Sequence, residues 1–161
     1  MITRPRLIPV TGNEATTPPD PNRSDSTIDT LARTLCGEAR GEGQAGMEAV
    51  AAVIMNRLAV AAEHGGQYWW GSSTAAICQR PWQFSCWNEG DPNRPQLEAV
   101  AEDDLWFASA LRIARRAAHG LLADPTGGAT HYHHHAIVPS WAIGRRPSAS
   151  IGRHLFYRLV D

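Results

Sequence analysis

Apolar residues recur at helical spacing in three long runs, separated by polar or glycine-rich stretches. Ser26 or Thr27 can cap a helix in which Ile28, Leu31, Ala32 and Leu35 share one face. Gly37, Gly41 and Gly43 are expected to interrupt it. A second helix is expected over about 44–62. There Met47, Val50, Ala51, Ile54, Met55 and Leu58 make the wide apolar stripe of a helix set into a core. Gly65 and Gly66 end it. A third long helix is expected from about 95 to 119, with Leu97, Val100, Ala101, Leu105, Ala108, Leu111 and Ile113 facing inward and Gly120 as terminator.

The intervening and terminal segments read differently. Residues 65–95 lack periodicity and hold many aromatics with Gly and Pro. Asp124-Pro125-Thr126-Gly127-Gly128 has strong turn chemistry. Residues 129–133 and 155–159 are strand candidates. The fold class is therefore α+β, mainly α, with a small β element near the C-terminus. Residues 1–25 are poor in apolar side chains and carry Thr16-Thr17-Pro18-Pro19-Asp20-Pro21-Asn22, which predicts a disordered tail or linker. The folded domain is expected over 26–161.

Composition narrows the function classes. With 161 residues the chain fits one domain able to bury a core. A net charge of -1 gives no reason to expect nucleic acid or an acidic membrane as partner. All fifteen cationic side chains are Arg. No run reaches the roughly 18 consecutive apolar residues of a membrane span, and no apolar leader follows Met1, so neither membrane insertion nor a secretory signal is expected. Cys36, Cys78 and Cys86 fit no zinc spacing and leave at least one thiol unpaired; free, partly buried thiols are expected, with a Cys78–Cys86 bridge the alternative in an oxidising compartment.

The candidate chemistry centres on Cys36-Gly37-Glu38-Ala39-Arg40-Gly41-Glu42-Gly43, a charged joint between two core helices. A carboxylate held rigidly at a helix end is suited to general acid work on a leaving oxygen. Glu38 is that candidate, and Glu42, four residues on, is the natural second carboxylate, either near substrate or in a salt bridge. Trp69, Trp70, Trp82, Trp87 and Trp141 offer flat faces of the kind that stack on sugar rings. Pro81-Trp82-Gln83-Phe84-Ser85-Cys86-Trp87 joins such rings to amide and hydroxyl groups. In a strand, His131, His133 and His135 share one face and can hold zinc, or can line a polar groove with Tyr132.

Several ordered blocks carry a resemblance. Residues 31–43, with Gly46 and the run Ala49-Val50-Ala51-Ala52-Val53-Ile54-Met55-Asn56-Arg57, are similar to the opening of the SleB-type cell wall hydrolases, which include spore cortex-lytic enzymes. Gln83–Trp87, Asp124–Tyr132, Pro139-Ser140-Trp141-Ala142 and Ile151–Arg158 resemble later blocks of that family, in the same order. The likeness spans about 30–158. It departs at His133-His134-His135, where related sequences often carry Tyr or Phe followed by Asn-Pro.

This resemblance implies a lysozyme-like fold, with 26–161 as the catalytic domain, and lytic transglycosylase action on the MurNAc-GlcNAc bond of peptidoglycan glycan strands. It implies Glu38 as the catalytic acid. Glu42, Gln83, Phe84, Trp87, His131, Tyr132 and Trp141 are the expected substrate-binding residues, with no metal and no cofactor, in a monomer. A bare catalytic domain without a leader looks like a phage-type endolysin, released by a holin or carried in a particle. Two rivals stand beside it: a zinc-dependent peptidoglycan amidase built on His131, His133 and His135, and a non-catalytic wall-binding or virion protein.

Overall fold

The computed structural model describes residues 21–160, with side chains from Asp25 onward. Of the tail expected over 1–25, the first twenty residues lie outside them, and residues 21–25 are helical rather than disordered.

Helix α1 spans Pro21–Ala39 and starts five residues before the expected cap at Ser26. Proline suits a first helical turn, where its missing N–H costs nothing. The helix does not break at Gly37 as expected. It continues to Ala39, tightens into a 3-10 turn over Arg40–Glu42, and gives way to α2, Gly43–Glu63. Gly43 takes a φ of 69°, which L side chains rarely adopt. Helix α2 ends as expected: Gly65 sits at φ 69°, and Gly66 N–H reaches back to the Ala61 carbonyl at 2.7 Å, closing a Schellman motif.

Leu31, Leu35, Met47, Val50, Ile54, Ile77, Phe84 and Phe107 are buried in one core. The stretch Asp25–Glu63 is long and apolar enough by composition to cross a bilayer, but 56% of its most apolar window is covered by the rest of the fold.

The expected third helix is two. Short α3 (Thr74–Cys78) precedes α4 (Arg94–Ala99) and α5 (Leu105–Ala118). The break has a tertiary cause. The Arg33 guanidinium, oriented by Asp29, donates through Nη1 to the carbonyls of Leu97 (2.6 Å), Glu98 (3.0 Å) and Val100 (3.1 Å), satisfying the end of α4. Asp104 then caps α5, accepting from the N–H groups of Trp106 and Phe107. The break changes the helical phase, so Ala101 and Leu105, expected inside, are exposed.

A three-stranded antiparallel sheet of order β1-β3-β2 closes the fold: β1 His131–His134, β2 Ala149–Ile151 and β3 His154–Tyr157. Strand β2 was not expected from the sequence. Tyr132 pairs with Phe156, and Phe156 also pairs with Ala149. Phe156 and Ala129 pack on Ala49 and Val53, which seats the sheet on α2. Asp124 fixes the preceding turn, accepting from Thr126 N–H at 2.7 Å, Gly128 N–H at 2.8 Å and Asn56 Nδ2 at 3.0 Å. The sheet is thereby held against the helix that follows Glu38.

Candidate active site

Glu38 lies in the last turn of α1, half-buried, at a groove of about 420 Å³. Two donors hold its carboxylate. The Cys86 backbone N–H reaches Oε1 at 3.3 Å, and the Tyr132 hydroxyl reaches Oε2 at 3.0 Å. The donors come from opposite sides, one from the loop after α3 and one from β1. Packing around the Tyr132 ring, and the neighbouring Glu38 carboxylate, push its phenol well above the usual tyrosine value. Tyr132 is thus a neutral hydroxyl at physiological pH.

Two local devices bring the Cys86 loop to Glu38. Trp87 donates Nε1–H to the Thr34 hydroxyl at 2.9 Å, tying the loop to α1 one turn before Glu38. Gly37 lets the chains meet: a Cβ there would lie 2.6 Å from Cys86 Cβ and 2.8 Å from its sulfur. The glycine read as a helix breaker is a contact surface.

Arg57 lies buried beneath the groove. Its Nε donates to the Thr130 carbonyl at 2.7 Å and Nη1 to Gln83 Oε1 at 3.2 Å. The guanidinium lies 5.3 Å from the Trp70 ring and 5.5 Å from the Phe84 ring, a cation–π setting. Burial lowers its pKa to about 10, so it remains a cation at neutral pH. Trp69, Trp82 and Trp141 stand around the groove, with Trp82 83% exposed. Trp82 has a φ of 65°, the only positive value among the described non-glycine residues. Such strain in a large side chain clusters at sites that hold ligands.

Of the expected substrate-binding residues, Gln83, His131, Tyr132 and Trp141 line the groove with Glu38. Phe84 does not; it is buried at 1% exposure under Arg57. Trp87 faces Thr34 and the core. Glu42 also turns away. Its Oε2 accepts from Arg153 N–H at 2.8 Å and its Oε1 from Arg153 Nε at 2.6 Å, between Gly46 and Gly152. It joins the 3-10 turn to the β2–β3 hairpin, the salt-bridge role. Arg57 had no role assigned from sequence. Its signal was a charge three residues after Ile54 on the buried stripe of α2.

The zinc arrangement is not formed. His133 is engaged by the His134 carbonyl at 2.9 Å and the Tyr157 hydroxyl at 3.1 Å, and His135 is exposed and stacked on His134. The strand ends at His134, so the alternation that would align all three imidazoles stops short. No group of three His, Cys, Asp or Glu able to hold a metal occurs among the described residues. All three cysteines are free and buried, so the Cys78–Cys86 bridge is not formed. Burial pushes the Cys36 thiol up to about 11 and the Cys78 thiol up to about 12.

Residues 41–157 match the family described as Cell Wall Hydrolase. The chain belongs to the cell wall hydrolase family. The matched stretch starts three residues after Glu38, covering the groove-lining residues from Arg57 to Trp141. This cell wall hydrolase is 33% identical over 136 residues to the spore cortex-lytic enzyme of Halalkalibacterium halodurans, covering 83% of this chain and 35% of that protein. It is 31% identical over 138 residues to the spore cortex-lytic enzyme of Bacillus subtilis, covering 83% and 38%. The chain thus spans little more than a third of the length of these curated relatives.

Among solved structures, the cell wall hydrolase is similar to the catalytic domain of the germination-specific lytic transglycosylase SleB from Bacillus anthracis. The TM-score is 0.60 at 26% identity, covering 81% of this chain and 92% of that one. The catalytic domain of Bacillus cereus SleB shares the fold, with a TM-score of 0.62 at 24% identity over 90% and 98% of the two chains. The expected lysozyme-like fold, mainly α with a small sheet near the C-terminus, is the fold of this chain.

Proposed function

We propose that this cell wall hydrolase cleaves peptidoglycan glycan strands as a lytic transglycosylase, with Glu38 as its one catalytic carboxylate. The carrying observation is that Glu38 is the sole acid among the described residues lining the groove. A hydrolase acting through two carboxylates needs a second one roughly 5–9.5 Å away across the scissile bond. Glu42 is the nearest in sequence, and Arg153 holds it elsewhere. A transglycosylase needs only one, because substrate supplies the rest. The relatives named as spore cortex-lytic enzymes and as a lytic transglycosylase support the same chemistry.

In this reading Glu38, protonated on Oε2, gives its proton to the oxygen between MurNAc and GlcNAc as the C1–O bond breaks. Oε1 accepts from the Cys86 N–H, and Oε2 carries the proton on the lone pair that the Tyr132 hydroxyl does not use. The acetamido carbonyl oxygen of the muramic sugar takes the charge at C1. Glu38, now a carboxylate, accepts the proton of the C6 hydroxyl. That oxygen bonds to C1, the acetamido group is released, and a 1,6-anhydro ring remains. The Tyr132 hydroxyl donates to Oε2 and steadies the carboxylate that forms once the proton has left. Trp69, Trp82 and Trp141 hold sugar rings along the groove.

The protein acts as a monomer on glycan strands, without nucleic acid or membrane insertion. Its near-neutral charge and the burial of its apolar helices support this. Turbidity loss of purified sacculi tests the function: wild-type protein lyses them and Glu38→Gln does not. Equal lysis by the variant would remove Glu38 from the mechanism.

A further inference from the structure

The groove does not end at Trp69 and His131. Both residues also line an adjoining hollow of about 250 Å³, whose other walls include Tyr68, Trp70, Arg145 and Arg158. Among the described residues, no Asp or Glu lines this hollow. Arg145 and Arg158 are exposed, and neither makes an ion pair or a side-chain hydrogen bond among the described residues. Arg33, Arg40, Arg94, Arg116 and Arg153 have carboxylate partners; of the described arginines without one, only Arg145 and Arg158 line this hollow. Two guanidiniums without a carboxylate partner among the described residues therefore share one aromatic-walled recess, directly beside the groove that holds Glu38.

Guanidinium recognises carboxylate bidentately, in a way a neutral sugar hydroxyl cannot match. In peptidoglycan, carboxylates occur on the lactyl ether of muramic acid when it is bare, and on the peptide stem when the ether carries one. The recess lies past the shared wall of Trp69 and His131 from Glu38. A peptide stem several residues long has the length to pass such a wall, and its several carboxylates suit two cations. We infer that this hollow is a subsite for carboxylates of the peptide stem, so that the protein prefers peptide-bearing glycan over stripped strands. The subsite rests on the peptidoglycan reading given above.

The test compares wild-type protein with the Arg145→Gln/Arg158→Gln double variant on two substrates: peptide-bearing glycan strands, and the same strands stripped by an amidase, which exposes the lactyl carboxylate. Both substitutions are on exposed side chains, and the melting temperature checks that the fold is kept. Wild type is expected to show a lower KM on peptide-bearing strands. The double variant should raise that KM roughly tenfold, the effect of losing about one charge-assisted hydrogen bond. Its kcat, and all its constants on stripped strands, should stay unchanged. An equal rise in KM on both substrates would assign the arginines to the lactyl carboxylate and overturn the stem subsite. Unchanged constants on both would overturn it as well. Wild-type protein that cleaves stripped strands with no preference for the stem would refute the subsite alone. Cleavage of neither substrate would refute the peptidoglycan reading beneath it.

Discussion

Tyr132 donates its hydroxyl proton to Glu38 Oε2 at 3.0 Å, joining the first helix to the first strand across 94 residues of sequence. The bond needs the whole fold: the Asp124 turn sets the strand, Phe156 seats the sheet on α2, and the Arg40–Glu42 turn links α2 to α1. A hydrogen bond to a charged group is worth about 1.5–3 kcal/mol. Tyr132→Phe keeps the ring against His154 and Phe156 and removes only the hydroxyl. It should lower kcat on sacculi by roughly tenfold to a hundredfold; water from the open groove takes the hydroxyl's place on Glu38 in the resting protein, so the melting temperature should fall by only about 2–4 °C. Unchanged kcat would take Tyr132 out of the site chemistry.

Gly37 and Cys86 make a second, steric link to Glu38. The methyl of Gly37→Ala would meet Cys86 at a separation real Cβ atoms do not tolerate, so the loop must move outward. Overpacking of this kind costs about 1–3 kcal/mol. The variant should melt lower and lose activity together, because the Cys86 N–H leaves Oε1. Gly37→Ala/Cys86→Ala removes one of the clashing partners, the sulfur, and should recover part of both. Calorimetry and a sacculus assay on the pair measure this.

Stability and activity should separate at Trp82. Its backbone is left-handed and its indole mostly in solvent, so it contributes strain and little burial. Asparagine accepts a left-handed backbone more readily than a large aromatic does. Trp82→Asn should therefore hold or slightly raise the melting temperature, by up to about 3 °C. It should raise KM for glycan strands about tenfold, the loss of one stacking face. A drop in melting temperature of more than a few degrees would show that the indole packs rather than presents itself to sugar.

Acid should weaken the fold in two stages. Burial, opposed by Glu42 and aided by the neighbouring His134, holds His154 below its ordinary 6.5. Between its folded value and 6.5 the unfolded chain binds the extra proton, so stability rises with pH. The His154 contribution is complete above 6.5 and is lost as pH falls through the folded value. The Arg153 N–H, with the Arg153 guanidinium, holds Glu42 below its ordinary 4.5 despite its burial. Its contribution is complete above 4.5 and fades further into acid. His154 Nδ1 is buried with no hydrogen-bond partner, so His154→Phe breaks no bond there. That variant should flatten the fall in melting temperature just below pH 6.5. Glu42→Gln should melt about 3 °C lower at neutral pH, with the deficit closing below pH 4.5. Melting curves from pH 3 to 8 on all three proteins decide it.

The helical core was legible because its periodicity is local. The stripe from Met47 to Leu58 needs only 3.6-residue spacing to be read, and its end at Gly65-Gly66 needs only turn chemistry. The break between α4 and α5 was not legible, since it is made by Arg33, more than sixty residues upstream, reaching three carbonyls. The same limit governs the site. Glu38, Gln83, His131, Tyr132 and Trp141 could be named from residue type and ordered blocks, but Arg57 reads as one more helix position until its carbonyl and amide partners are seen. Phe84 and Trp87 share a loop with Gln83 and face the other way, a distinction set by the 3-10 turn over Ser85–Trp87. Glu42 has the spacing of a second catalytic carboxylate; a partner 111 residues later decides otherwise.

Mass spectrometry of the fragments released from purified sacculi tests the central claim, a single carboxylate acting twice on one glycan strand. Wild-type protein should release muramic ends lighter by one water, the 1,6-anhydro product. Glu38→Gln should release none while still binding sacculi and melting as wild type does. Fragments ending only in ordinary hydrated reducing sugars, or anhydro ends released by Glu38→Gln, would contradict it.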